Sequence, residues 1–564
     1  MLLNPSDYSL KHEDQEFQEI ILKTIQFFEA KGLQKVREDD TQRIWYADFL
    51  EFIKKEKIFA RLLTPPAYGK QGYRWDTWRI AHFNEILGFY GLAYWYTWQV
   101  SILGLGPIWM SENEALKQQA ANLLEAGEIF AFGLSEKDHG ADIYSTEMSL
   151  TPQKKGHYLA SGSKYYIGNG NTAKMVSTFG KMSDSGDYVV FVANYEHKKY
   201  SCVQNVVNSQ SYVAEYTLDE YPIFEEDILH KGPEAWSAVL NTVNIGKYNL
   251  GWASIGMSTH AFYEALNHAS HRKLYDMHVT DFSHVKHMFV DGYTRLVAMK
   301  LVALRAADYM RVASSEDKRY LLYNPVVKMK VTTQGEAVVD LLWDVIAAKG
   351  FEKDTFFDMV TRDIRALPKL EGTVHVNIAL ILKFMASYFF RASEYPWVDK
   401  QSQANNDDFL FNQGPTRGLG KILFHDYKKV YKAVQLPNVK IFRKQIRLLK
   451  TLLMVAKPDK EQRKDIDFLM ALGELFTLVV YGQLILENAR IYKTEDDIID
   501  QIFDFMVRDF SSHALQLYSK GSATKTQMTL CSRMIKKPDV NPARFSRIWS
   551  DQIFPLRDAY IMQP

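Results

Sequence analysis

The order of hydrophobic periods constrains this chain most. From residue 10 to 128 apolar residues recur at helical spacing, as in "EFQEIILKTIQFFEA" (16–30). The segment "SENEALKQQAANLLEAGE" (111–128) reads as a helix opened by Ser111 and Glu114 as a capping box. Near 129 the period drops to alternate residues. "GHYLASGSKYYIGNG" (156–170), "DYVVFVANY" (187–195) and "SYVAEYTLD" (211–219) are short Tyr- and Val-rich runs set apart by turn residues. From about 238 the helical period returns, in "SIGMSTHAFYEALNHASHRKL" (254–274), "VDGYTRLVAMKLVALRAADYM" (290–310) and "NPVVKMKVTTQGEAVVDLLWDVIAAKGF" (324–351). The last of these is expected to end at Gly350 as its C-cap.

At 564 residues the chain is too long for one core. The expected architecture is mainly α with a small β-domain. An N-terminal helical domain (1–128) is followed by an antiparallel, barrel-like β-domain (129–237). A helix bundle (238–395), a linker loop (396–418) and an additional C-terminal helical domain (419–564) complete it. The linker rests on "SEYPWVDKQSQANNDDFLFNQGPTRG" (393–418), rich in Pro, Gly, Asn and Asp.

A net charge of +1 argues against bulk attraction to nucleic acid, which is not expected as a partner. Cys202 and Cys531 form no metal-spaced cluster and suit a reducing, cytoplasmic compartment. No metal is expected; His278, His284 and His287 have no ligand spacing. The polar, acidic start predicts no secretory leader. The most apolar stretch, 468–486, carries Glu474 and Gln483 and reads as a core helix. Residues 427–458 hold nine Lys or Arg and no acidic residue. On 439–454 they oppose an apolar stripe of Val439, Phe442, Ile446, Leu449 and Leu453. Such a helix suits an anionic membrane surface or an acidic acyl-carrier protein, as well as a packed helix with a solvated face.

Five motifs, in register with this domain order, resemble the acyl-CoA dehydrogenase flavoproteins. "FAFGLSEKDHGAD" (130–142) resembles that family's entry into its β-domain, with Ser135 in place of a Thr. "YIGNG" (166–170) resembles its Trp-Ile-Thr-Asn-Gly run. "NIGKYNLG" (244–251) and "HRKLYD" (271–276) resemble its Asn-x-Gly-Arg and Arg-x-x-Phe-Gly motifs. "MVTRDIRALPKLEGT" (359–373) resembles its Arg-Asp…Glu-Gly-Thr ending. The likeness spans roughly residues 20–392. The added C-terminal helices are similar in layout to the very-long-chain members.

The resemblance implies FAD and α,β-dehydrogenation of a saturated acyl-CoA to the trans-2-enoyl thioester. Electrons would pass to an electron-transfer flavoprotein, in a homo-oligomer of at least two chains. Glu371 would be the catalytic base. Phe132, Leu134, Ser135, Tyr166, Ile167, Gly168, Arg272, Asp344 and Thr373 would contact the cofactor. Ala141, Asp142, Asn244, Lys247 and Gly372 would contact substrate. An acyl-CoA oxidase or a carrier-protein dehydrogenase is the near alternative. A flavin-containing protein that docks DNA or a membrane through 427–458 is the distant one. Lys137, Gly168, Asp276 and "DVIAA" (344–348) depart from the family pattern, and Gly168 removes a hydroxyl.

Overall fold

The computed structural model describes residues 1–8 and 14–564. The expected helical start at residue 10 lies outside the described residues. The first unit comprises α1 (Gln15–Lys31), α2 (Leu33–Gln42), α3 (Ala47–Lys55), α4 (Ile58–Leu63), α5 (Thr77–Tyr90), α6 (Leu92–Met110) and α7 (Glu114–Glu125). α5 and α6 are buried on nearly every side, because their sequences are apolar all round. α5 packs on the bundle and α6 on the sheet, so α6 lies where the two domains meet. The N-cap of α7 is Asn113, which accepts from the Leu116 amide at 3.1 Å; Ser111 instead donates its hydroxyl to the Ile108 carbonyl at the end of α6. The capping box expected at Ser111 is therefore absent.

The middle unit is one eight-stranded sheet: β1 (Phe130–Gly133), β2 (Ser149–Pro152), β3 (His157–Gly168), β4 (Met175–Met182), β5 (Tyr188–Ala193), β6 (Tyr200–Asn205), β7 (Val213–Phe224) and β8 (Ile228–Lys231). The strand order is β6-β7-β3-β2-β4-β5-β8, with β1 beside β4. Pairings are antiparallel except those of β1 and β2 with β4, which are parallel and make the sheet mixed. The β3–β7 register breaks between Lys164 and Ile167, and there Tyr166 takes φ +64°. This bulge re-aims the end of β3.

The bundle comprises α8 (Gly232–Lys247), α9 (Asn249–His271), α10 (Ser283–Arg311), α11 (Tyr320–Val326), α12 (Thr332–Ile346), α13 (Phe357–Asp363), α14 (Val374–Leu382) and α15 (Met385–Phe390). A π-helical turn, Val327–Val331, joins α11 to α12. α12 ends at Ile346, four residues before the expected Gly350 cap, because Ala347 turns to φ 55°, ψ −136°. That is glycine territory, and Ala347 is exposed, so the strain has no packing reward. Ala347→Gly is expected to stabilise the chain by about 1 kcal/mol after the extra unfolded-state entropy of Gly, seen as a raised chemical-denaturation midpoint.

Residues 396–418 are a strap across the first unit. The Asp407 amide donates to the Trp75 carbonyl at 2.9 Å, the Thr77 amide to Asp407 at 2.7 Å, and Phe411 packs edge-on against Trp75. Beyond it lie α16 (Tyr427–Ala433), α17 (Pro437–Val455), α18 (Ile466–Tyr492), α19 (Asp496–Tyr518), α20 (Lys525–Met534) and α21 (Pro542–Arg547). α18 is long and apolar enough to cross a membrane, yet its most apolar window is 83% buried within the fold, against α10, α14 and α19. The apolar stripe of α17 is likewise spent: Val439, Phe442, Ile446 and Leu449 are buried, and the helix packs on α19 and α20. Lys440, Lys444 and Arg447 stay exposed. A helix lying in a membrane plane needs a free apolar face, which α17 lacks.

Candidate active site

Glu371 stands in the loop between α13 and α14, at φ +50°, followed by Gly372 at +88°. A Glu in the left-handed region is strained by about 1–2 kcal/mol and persists only where neighbours hold it. Three contacts do so. Lys328, fully buried in the π-turn, donates to the Pro368 carbonyl at 2.6 Å and also to the Gly372 carbonyl. Asn377 of α14 donates to the carbonyls of Gly372 and Thr373 at 2.9 and 3.0 Å. Gln99 of α6 donates to the carboxylate itself at 2.6 Å.

Glu371 is half-buried overall, and one oxygen of its carboxylate is shielded from water. Its Oε2 is buried and has no hydrogen-bond partner. Burial pushes the Glu371 carboxyl up to about 7, against the Gln99 bond and the charges of Lys328 and Lys247. Burial pushes both lysines the other way, Lys328 to about 7 and Lys247 to about 8, while the Glu371 charge opposes that fall. Neither lysine hydrogen-bonds the carboxylate: Lys247 reaches Asn377 at 3.5 Å. The site is thus a buried carboxylate with one free oxygen and two cations nearby, an arrangement suited to taking up a proton near neutral pH.

α6 carries this chemistry towards the sheet. Tyr96, Gln99, Val100 and Leu103 fall on one helix face. A Cβ built on Gly246 of α8 would meet Leu103, Gln99 and, at 3.1 Å, Glu371 Oε2; a Cβ on Gly168 would lie 2.6 Å from both Tyr96 and Val100. One face of α6 therefore touches both the end of β3 and the Glu371 loop. The space for a hydroxyl at Gly168 is taken by Tyr96. Gly168→Thr is expected to destabilise the fold by about 1–3 kcal/mol through overpacking against Tyr96 and Val100, read as a shift in denaturation midpoint.

The remaining candidates divide. Phe132 and Ile167 are buried. The Leu134 carbonyl accepts from Lys164 at 3.0 Å. Ser135 donates its hydroxyl to the Tyr165 carbonyl at 2.7 Å, and the Tyr165 amide returns a bond to the Ser135 carbonyl. This locks the chain just after β1 to the bulge at Tyr166, a residue 59% exposed. Thr373 uses its hydroxyl as the N-cap of α14, accepting from Val376. Lys247 and Gly372 adjoin Glu371, but Asn244 bonds Gln413 and Asn324 instead. Ala141 and Asp142 lie on an exposed loop, where Asp142 accepts from Ser145 at 2.6 Å. Buried Glu136 holds the base of that loop through Thr146, Lys164 and two amides. Arg272 and Asp344 are exposed, and neither bonds any residue of the Glu371 cluster.

Sequence reasoning missed Gln99, Lys328 and Asn377. Gln99 left a trace as the one amide in the apolar run "YWYTWQVSILGLG" (94–106). Lys328 did too, as a cation inside a helix with a buried face.

The sequence matches the family described as "Acyl-CoA dehydrogenase, C-terminal domain" over residues 235–386. An acyl-CoA dehydrogenase of Bacillus subtilis is 23% identical over 293 residues, covering 50% of this chain and 75% of that one. The mitochondrial very long-chain specific acyl-CoA dehydrogenase of Rattus norvegicus is 22% identical over 377 residues, covering 64% of this chain and 56% of its own. The crystal structure of an acyl-CoA dehydrogenase complexed with FAD from Bacillus anthracis superposes with a TM-score of 0.76 at 16% identity, covering 98% of this chain and 97% of that one. Sequence and fold agree: residues 235–386 match the acyl-CoA dehydrogenase C-terminal domain, and the chain as a whole has the acyl-CoA dehydrogenase fold with extra C-terminal helices.

Proposed function

We infer that the protein is an FAD-dependent oxidoreductase that dehydrogenates an acyl thioester between its α and β carbons, with Glu371 as the base. The observation that carries this is the buried Glu371 carboxylate, with one oxygen bonded to Gln99 and the other free.

The residues present fit a flavin. The exposed Tyr166 ring, beside the Ser135–Tyr165 bonds, offers a flat face for a ring system. At the end of α9, the exposed Arg272 side chain has no partner among the described residues, and its charge and that of Lys349 both bear on His268. Such a cationic end suits a diphosphate. A bound flavin supplies the two-electron acceptor, which no side chain can. Glu371 takes the α-proton through its free oxygen. Gln99 holds the other oxygen, so the carboxylate cannot rotate away. Lys247 and Lys328 favour its ionised form in a site that burial would otherwise keep neutral.

Electron-transfer flavoprotein as acceptor, an assembly of at least two chains and a cytoplasmic place complete this reading. A second reading has the acyl group on an acidic carrier protein, favoured by the exposed Lys440, Lys444 and Arg447. The test is the absorption spectrum of the purified chain, then anaerobic addition of butanoyl-CoA, palmitoyl-CoA or a carrier-bound acyl group. Bleaching of a flavin band by either CoA ester supports the leading reading, and bleaching by the carrier ester alone the second. No flavin band overturns both.

A further inference from the structure

The loop that carries Glu371 is held by a residue to which the proposed chemistry assigns no contact with substrate. The π-turn Val327–Val331 interrupts an otherwise continuous helix from Tyr320 to Ile346. A π-turn rotates the side chains on either side of it and often marks a functional position. Its effect here is to place a fully buried ammonium under the loop. Lys328 donates to the carbonyls of Pro368 and Gly372, on either side of Glu371. A buried cation is costly unless it is bonded and serves a charge nearby. Lys328 has two carbonyls for the first purpose and Glu371 for the second.

On the reading of Glu371 as base, we propose that Lys328 is its positioning residue: by clamping the two carbonyls it holds the strained Glu371 backbone so that the free carboxylate oxygen faces the substrate, and its charge favours the ionised base. The groups facing Glu371 are Gln99 and Tyr96 from α6, Lys247 from α8 and Lys328 from the π-turn. Lys328 in turn faces Lys247, Lys369 and Glu336. Removing the Lys328 charge leaves Lys247, among the described residues, as the one cation acting on the carboxylate, so the base becomes harder to ionise.

The test compares the FAD-loaded full chain with Lys328→Met and Lys328→Gln, the latter keeping an amide donor without charge. Glu371→Gln serves as control. Two readings are taken. One is kcat and KM for whichever acyl thioester bleaches the flavin. The other is the pH midpoint of the protonated-carboxyl infrared band that Glu371→Gln removes, which needs no turnover. In either Lys328 variant kcat is expected to fall about tenfold with KM held within about twofold. The infrared midpoint is expected to rise by about one pH unit. Should Lys328→Met not fold, Lys328→Gln carries the comparison. Lower thermal stability with wild-type kcat per bound flavin and an unmoved midpoint would make Lys328 merely structural and overturn the proposal, leaving the base reading intact. Turnover surviving in Glu371→Gln would overturn both.

Discussion

Glu371→Gln is expected to slow acyl-thioester-dependent flavin bleaching about a thousandfold, with flavin content unchanged. Gln keeps the shape and the contact with Gln99 but cannot accept the α-proton. It removes a carboxylate that burial disfavours but also the counter-charge of buried Lys328 and Lys247, so the two effects on stability oppose each other. The pH profile gives an independent sign. A carboxyl raised to about 7 is half ionised there, so wild-type bleaching should rise with pH through about 7 on its acid side. An ordinary surface Glu would be fully ionised well below that. Stopped-flow absorbance under anaerobic conditions measures both, and an acid limb near pH 4 would sink the buried-base account.

Glu487→Ala is expected to cost about 3–5 kcal/mol and to loosen the C-terminal helices from the bundle. Glu487 on α18 is fully buried. It accepts from Arg305 at 2.8 Å, Tyr309 at 2.8 Å, His425 at 2.7 Å and Gln483 at 2.7 Å. Arg305, on α10, is equally buried and keeps Asp308, at 3.2 Å, and a long bond to the Tyr309 hydroxyl, at 3.5 Å, once Glu487 is gone. Burial alone would raise the Glu487 carboxyl, yet the His425 bond and the Arg305 charge hold it well below the usual carboxylate range. A carboxyl lowered on folding stabilises the native state at neutral pH. That contribution fades as pH falls below the unfolded value of 4.5. Chemical denaturation at pH 7 should show the full loss, with earlier proteolysis in 393–426 before any loss of flavin. An unchanged midpoint and digestion pattern would show that α18 is held by its apolar contacts alone.

Much of the fold was legible in the chain because period and burial are local properties. α18 read as a core helix from Glu474 and Gln483 within an apolar run, and Glu474 does meet Lys330 at 3.2 Å inside the fold. The boundaries were less legible. The capping box at Ser111 failed because α6 runs to Met110 and takes up that hydroxyl. The Gly350 cap failed because Ala347 adopts a conformation that the residue type does not announce. The amphipathic pattern of α17 was read correctly, but only its neighbours showed that the apolar side is covered.

The sequence by itself determined the helix–sheet–helix order, the position of Glu371 beside a glycine, and the likeness to the acyl-CoA dehydrogenases. Each depends on residue type and spacing within a few turns of chain. Tertiary structure alone decided what surrounds Glu371. Gln99, Gly246, Lys328 and Asn377 come from four separate helical segments, and no spacing in the chain relates them. Whether a carboxylate is a solvated surface charge or a base held near neutrality depends on the water excluded and the cations brought close, and only the packing of those segments sets both.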